Sequence, residues 1–298
     1  GAISNALAAA ARDLGVKIHT GCPVKNITVD FTTGKTVGVC LQNNKLAYAD
    51  VVLSNADPKR TFTKLIPKEA FSGSMAVRGG EEFISKVENL DFSSPVMKIN
   101  LTLSDIPSFR CLPGTKLGPQ HMGTIHISPS VDYVIKARED GVRGVPSLEP
   151  ILEITIPSAV DDTLAPDGKH VMNIFVQYTP YHLSGDRSWD DIKERYFWTN
   201  IVGVLDKYIS NIHDIIEGVE ILSPLDLERR FGITEGNIFH GAMPLNQLFS
   251  FRPLRRYADY RTPIKGLYLC GAGTHPGGGV MGACGYNAAR EIISDLKK

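Results

Sequence analysis

The C-terminal stretch reads strand, glycine run, helix, and few folds accommodate that order. Gly266 to Gly271 (GLYLCG) has the apolar continuity of a short buried strand, Ala272 to Gly279 (AGTHPGGG) is a glycine run, and Val280 to Ile293 has helical period. Three consecutive glycines, Gly277, Gly278 and Gly279, leave the backbone amides at the start of the expected helix uncovered by any Cβ, so a flat or anionic group can approach them closely. Gly271 and Gly273 begin like the dinucleotide fingerprint G-x-G-x-x-G, but Pro276 stands at the third glycine. A phosphate-binding first turn also opens a βαβ unit and is followed by an acidic residue ending a second strand. The run is therefore expected to meet the far end of a ligand whose phosphates are held elsewhere, the competing reading being a tight packing turn.

The beginning of the chain has a matching character. Ile3, Leu7, Ala10, Ala11 and Leu14 share one face of a helix, with Gly15 where a C-terminal cap belongs. Val16 to Thr20 reads as a strand, and Pro23–Asp30, Lys35–Leu41 and Lys45–Ala49 form a small antiparallel meander turning at Thr33-Gly34 and Asn43-Asn44. Asp50 to Pro58 (DVVLSNADP) is an apolar strand leading to Asp57 as a helix cap and Pro58 at the first helical position. Asn55 and Ala56 then reach the carboxyl edge of a sheet, where open α/β folds bind ligands, unless Asn55 simply ends the strand.

This order predicts an α/β unit made of residues 1–60 and 264–298, with a mixed α+β unit, 61–263, inserted between them. At 298 residues and about 150 per domain, two units are also what length suggests. In the insert, Ser94–Ser104, Met122–Ser128, Pro150–Ser158 and His170–Thr179 are β-type, and Trp189 to Tyr208 is a long helix candidate. Its sheet is placed to wall a substrate cavity.

Composition narrows the function. Lys plus Arg, 32, equals Asp plus Glu, 32, so no basic field exists to draw nucleic acid. Five scattered cysteines, mostly in apolar runs, read as reduced thiols, and the eight histidines have no metal-site spacing, so no metal is expected. No apolar run reaches the roughly 20 residues of a membrane span. A small-molecule ligand remains, with the assembly state left open. Within Gly236 to Pro253 (GNIFHGAMPLNQLFSFRP), His240, Gln247, Phe251 and Arg252 are the cavity candidates, although a lone histidine is more often structural than catalytic. Tyr178 and Tyr181 read as packing groups.

These segments resemble a family. GLYLCGAGTHPGGGVMGACGYNAAREI is similar to the C-terminal flavin motif of phytoene desaturase-like flavoproteins in the amine oxidase superfamily, and GAISNALAAAARDLGVKIHTGCPVKNI with ADVVLSNADPKRTF resembles the stretches flanking their meander. LERRFGITEGNIFHGAMPLNQLFSFRP is most similar to one branch of it. The resemblance implies FAD as cofactor. It implies Val24 beside the adenine, Asn55 and Ala56 near the adenosine diphosphate half, and Gly271 and Ala272 near the ribityl chain and phosphate. Gly279, Val280 and Met281 would then border the flavin ring, with Gly278 also in contact with the cofactor. Ala272 stands where many relatives carry an acid, which removes one side-chain bond to the ribityl chain.

Members of that family begin with a strand, a G-x-G-x-x-G loop and a helix that no segment here supplies. The expectation is thus a C-terminal portion with an incomplete FAD-binding Rossmann-like domain, weak or absent FAD binding and no activity on its own. The whole protein would be an FAD-dependent oxidoreductase taking hydride from a hydrophobic small molecule, in the cytoplasm of a bacterium or the mitochondrial matrix of a eukaryote. The alternative is a binding or regulatory protein that keeps the fold, since no acid–base set stands out.

Overall fold

In the computed structural model, which describes residues 1–298 except 72–76, 78, 94, 95, 115 and 298, the two ends of the chain meet. Strand β4 (Val52–Ser54) pairs in parallel with β10 (Leu267–Leu269), Val52 against Leu267 and Ser54 against Leu269. Both are short apolar segments, and β10 is buried at all three positions, as expected of a parallel pair covered on its faces.

Helix α1 (Ala2–Asp13) forms where its apolar period predicts, but none of its residues is buried, and Ile3, Leu7 and Leu14 are 65%, 67% and 86% exposed. Val16–Thr20, expected as a strand, is irregular here. Among the described residues no strand pairs with it, and isolated extended chain has no ladder to stabilise it. The meander is present as β1 (Val24–Asp30), β2 (Lys35–Leu41) and β3 (Leu46–Tyr48), antiparallel in sequence order. Gly38 sits at φ +137 with its missing Cβ only 2.0 Å from the Ala47 carbonyl oxygen, so glycine is required for β2 and β3 to pair.

Asp57 caps α2 (Pro58–Lys64) by accepting the Arg60 N–H at 2.8 Å. Phe62 of α2 packs edge-on to Phe83 of α3 (Gly80–Glu88) at 4.7 Å between ring centres. These rings, Ile27 of β1 and Leu267 and Leu269 of β10 share one apolar core.

A second core lies under a five-stranded antiparallel sheet ordered β6 (Ile125–Ile127), β7 (Ile151–Thr155), β8 (His170–Gln177), β5 (Val96–Leu103), β9 (Ile216–Leu222). Ser94 and Pro95, at the head of the expected β5, lie outside the described residues. Alternation along β5 and β8 buries Met97, Ile99, Leu101 and Leu103 against Met172, Ile174 and Val176. The long helix is α5 (Trp189–Tyr196), a π-helical turn (Phe197–Ile201) and α6 (Val202–Asp206), with Trp189, Phe197 and Leu205 in the same core. Helix α4 (Val131–Val142) precedes β7, the single turn α7 (Ile212–Ile215) leads into β9, and α8 (Pro224–Phe231) follows it. The C-terminal helix α9 spans Ala283–Leu296. Arg261 bridges α9 to the chain before β10, donating to Asp259, Glu291 and Asp295, while Tyr268 of β10 donates to Asp295 at 3.0 Å.

Candidate functional site

The site is built where β4 and β10 end side by side. Gly271 lies against Asn55 so closely that a Cβ on it would come within 2.6 Å of the Asn55 side-chain oxygen and 2.7 Å of its carbonyl. Beyond it the chain folds back: Thr274 donates its hydroxyl to the Gly271 carbonyl at 2.8 Å, Tyr260 donates to the His275 carbonyl at 2.7 Å, and the Cys284 thiol points at the Gly277 carbonyl at 3.3 Å.

Helix α9 starts three residues later than the apolar period predicted, at Ala283 rather than Val280. The backbone gives the reason: Gly279 at φ +121 and Gly282 at φ +67 occupy conformations that a right-handed helix cannot include. Val280 and Met281 are thereby turned out of the helix and stand 92% and 55% exposed. The first intrahelical bond runs from the Tyr286 N–H to the Gly282 carbonyl, and no side chain caps the amides before it. Gly277, Gly279 and Gly282 also carry G-x-G-x-x-G spacing, which the sequence reading passed over. They begin well past the end of β10 rather than in a tight turn directly after it, so the fingerprint's geometry is absent.

The segment 236–253 forms the opposite side. Asp57, besides capping α2, accepts both the N–H and the hydroxyl of Thr234 at 2.9 Å, which draws this segment to the end of β4. Asn237 donates to the Phe92 carbonyl at 2.9 Å and accepts from the amides of Phe239 and Gly241. Gln247 accepts the Asp91 N–H at 2.8 Å and donates to the carbonyls of Asp91 and Ala242. Arg252 is 2% exposed and donates to the carbonyls of Phe239 (2.6 Å), Ala272 (2.7 Å) and Ala242 (3.2 Å). Burial lowers the pKa of its guanidinium. The polar side chains read as cavity candidates at 247 and 252 thus spend their hydrogen bonds on backbone, while Phe251 lies 43% exposed along an open depression with Arg255 and Arg256.

Between the two sides is a cleft of about 240 Å³. Of the residues singled out from the sequence it brings together Asn55, His240, Gly271, Ala272, Gly279 and Met281. Gly278 stands just behind, its missing Cβ 3.0 Å from the Phe239 ring, whereas Val24 begins β1 and, with Ala56 and Val280, is not part of the lining. His240 has φ +58 and a buried Nδ1 with no hydrogen-bond partner. Burial lowers its pKa, Asp57 opposing and Arg252 reinforcing the shift, so the ring is neutral at pH 7.

These features fit one edge of a flavin. The donor set is unpaired amides at a helix start, the His240 ring lines one side, and the floor is glycine backbone that any Cβ would obstruct. The volume lies below the ~300–1,000 Å³ of sites that enclose a whole organic ligand, which suits a single ring edge rather than a dinucleotide. Among the described residues no group of three or more His, Cys, Asp or Glu side chains could hold a metal ion, and no helix is long and apolar enough to cross a membrane.

The reading from sequence missed a larger cleft of about 880 Å³. Tyr178, Tyr181 and His182 after β8, Arg138 of α4, Glu235 and Met243 line it. Residues from four separate stretches form it, so no local motif announces it.

Comparison with known proteins agrees with this architecture. The chain is 42% identical over its whole length to pyridine nucleotide-disulfide oxidoreductase domain-containing protein 2 of Rattus norvegicus, matching 50% of that protein. It is 26% identical over 93% of its length to phytoene desaturase of Fusarium fujikuroi, matching 47% of it. The chain therefore spans about half the length of the curated relatives it matches. In fold it is similar to an oxidoreductase from Methanosarcina mazei, with a TM-score of 0.54 at 18% identity over 99% of this chain and 53% of that one. The family model for flavin containing amine oxidoreductase matches residues 1–293, and the chain belongs to that family.

Proposed function

We propose that this chain supplies the flavin-ring edge and the substrate-facing part of an FAD-dependent oxidoreductase that removes hydride from a small organic molecule. The observation that carries this reading is the cleft in which the uncapped start of α9, the glycine backbone and the side chain of His240 converge beside Asn55. The names of its relatives, an oxidoreductase domain-containing protein and a phytoene desaturase, point the same way.

When bound, FAD accepts the hydride, and the chain's own residues govern binding and charge. The start of α9 favours negative charge by about 0.3 to 1 kcal/mol, and about 2 where water is excluded. Arg252, buried with no carboxylate in contact among the described residues, adds to that field. Neutral His240 presents a lone pair or an N–H at the ring edge, and the exposed side chains of Phe239, Met243 and Met281 exclude water once covered.

On this proposal residues 1–60 and 264–298 belong to a Rossmann-like cofactor half that is incomplete by itself, and 61–263 form the substrate half. Val24, Asn55 and Ala56 serve the adenosine diphosphate side, and Gly271, Ala272, Gly278, Gly279, Val280 and Met281 the ring side. The 298-residue chain alone then binds FAD weakly and turns nothing over.

The test is to express the longest natural form of this chain with FAD supplied and record the visible spectrum. The two absorption bands of an oxidised flavin, bleached on reduction, are expected. A folded, colourless protein that FAD neither binds nor stabilises would remove the proposal.

A further inference from the structure

The cleft of about 880 Å³ lies one side chain away from the glycine run. Met243 lines it, and the same methionine's Cε stands 3.0 Å from where a Cβ on Gly277 would be. One flexible thioether therefore touches both the larger cleft and the glycine run.

One wall of this cleft is closely fitted. The end of α4 packs on the chain after β8 through two glycines: a Cβ on Gly141 would come within 2.8 Å of the Tyr178 Cβ, and one on Gly144 within 2.9 Å of the His182 carbonyl oxygen. Ser184 donates its N–H to the Gly144 carbonyl at 2.8 Å, fixing the register.

Its polar groups are unequally satisfied. Tyr181 donates its hydroxyl to Glu228. Glu235 faces Lys59 at 3.6 Å and His182 at 3.9 Å, so its charge is matched. Asp91 accepts the Ser93 N–H at 2.7 Å. Among the described residues Arg138 has neither an ion pair nor a hydrogen bond, and the Tyr178 hydroxyl has no partner. The cleft thus offers one uncompensated cation and one free phenol against a lining of Val142, Pro180 and Pro244.

We infer that this cleft is the substrate chamber and that it takes an amphipathic carboxylic acid, its carboxylate held by Arg138 and Tyr178 and its hydrocarbon part lying toward Met243. A wholly apolar ligand filling the cleft would strip water from Arg138 and replace nothing. A phosphate would bring a second negative charge toward Asp91 and Glu235 with only one free cation to meet it. A monocarboxylate matches both limits, and the planar guanidinium suits its two oxygens.

The inference rests on the flavin reading for the word substrate, but its test needs no flavin. Decanoate, decan-1-ol and decyl phosphate are titrated into the 298-residue protein by calorimetry. Decanoate should saturate one site at least tenfold more tightly than either of the others. Arg138→Gln, at an exposed position, should bring decanoate down to the level of the alcohol, and Val142→Trp, also exposed, should weaken both by filling the cleft. Equal affinity for acid and alcohol, an Arg138→Gln variant that binds decanoate unchanged, or no saturable decanoate binding would each overturn the inference. A folded, colourless protein in the spectral test would instead overturn the flavin reading.

Discussion

Replacing Arg252 by methionine should be among the most damaging single changes in the segment 236–253. The side chain is 2% exposed, and its nitrogens reach the carbonyl oxygens of Phe239 at 2.6 Å, Ala272 at 2.7 Å and Ala242 at 3.2 Å, with those of Gly241 and Gln247 at 3.4 to 3.5 Å. The closest three count as full bonds and the others as weak ones. Stranding a buried acceptor costs about 1 to 3 kcal/mol, so the three together amount to roughly 3 to 9 kcal/mol. Methionine also removes a buried charge that no carboxylate pairs, a relief of several kcal/mol. The net expectation is a loss of about 3 kcal/mol, which at a urea slope near 2 kcal/mol per M lowers the midpoint by about 1.5 M. Arg252→Lys keeps the charge but cannot fork between Phe239 and Ala272, and should lose about 2 kcal/mol. Amide hydrogen exchange should speed up at residues 239–242 and 272–274 in both variants. A midpoint shift below ~0.3 M for Arg252→Met would show that the carbonyl cage carries little of the stability.

Asp57→Ala removes the α2 cap and the acceptor for Thr234 together, and should cost about 2 to 4 kcal/mol in a urea titration; a loss under ~0.5 would refute the double role. Gly271→Ala drives a Cβ to 2.6 Å from Asn55, so about 1 to 3 kcal/mol of destabilisation is expected, with none at all contradicting the close approach of the two strand ends. The pH dependence follows from His240, whose folded pKa lies below its unfolded value because of burial. Between those values the unfolded state binds the extra proton, so stability should fall as pH drops below about 6.5. His240→Gln should flatten that fall between pH 7.5 and 5.5, and an unchanged slope would assign it to His170, which burial shifts in the same direction.

Much of this fold was legible because its signals are local. Alternation along β5 and β8, the two turns of the meander, and Asp57 with Pro58 each act over a few residues, and each element is where its pattern puts it. The start of α9 was misplaced because apolar period continues through Val280 and Met281, while the positive φ of Gly279 and Gly282 that excludes them leaves no trace in that period. Strand β9 went unread because Glu217, Gly218 and Glu220 break its apolar run; it is an edge strand, where charge is tolerated. In the site, Asn55, His240, Gly271 and Gly279 were readable as glycine loop, strand end and lone histidine, and they do share one cleft. That Gln247 and Arg252 bind backbone, and that Arg138 and Tyr178 line one larger cleft, depend on contacts between distant stretches, which no local pattern encodes.

The central claim, that the glycine run and the start of α9 border a flavin ring, is tested most directly by amide hydrogen exchange on the flavin-loaded protein before and after its FAD is removed. Protection on loading should concentrate at residues 271–285 and around Asn55 and His240. Protection confined to other parts of the molecule, with those amides exchanging equally in both states, would contradict it.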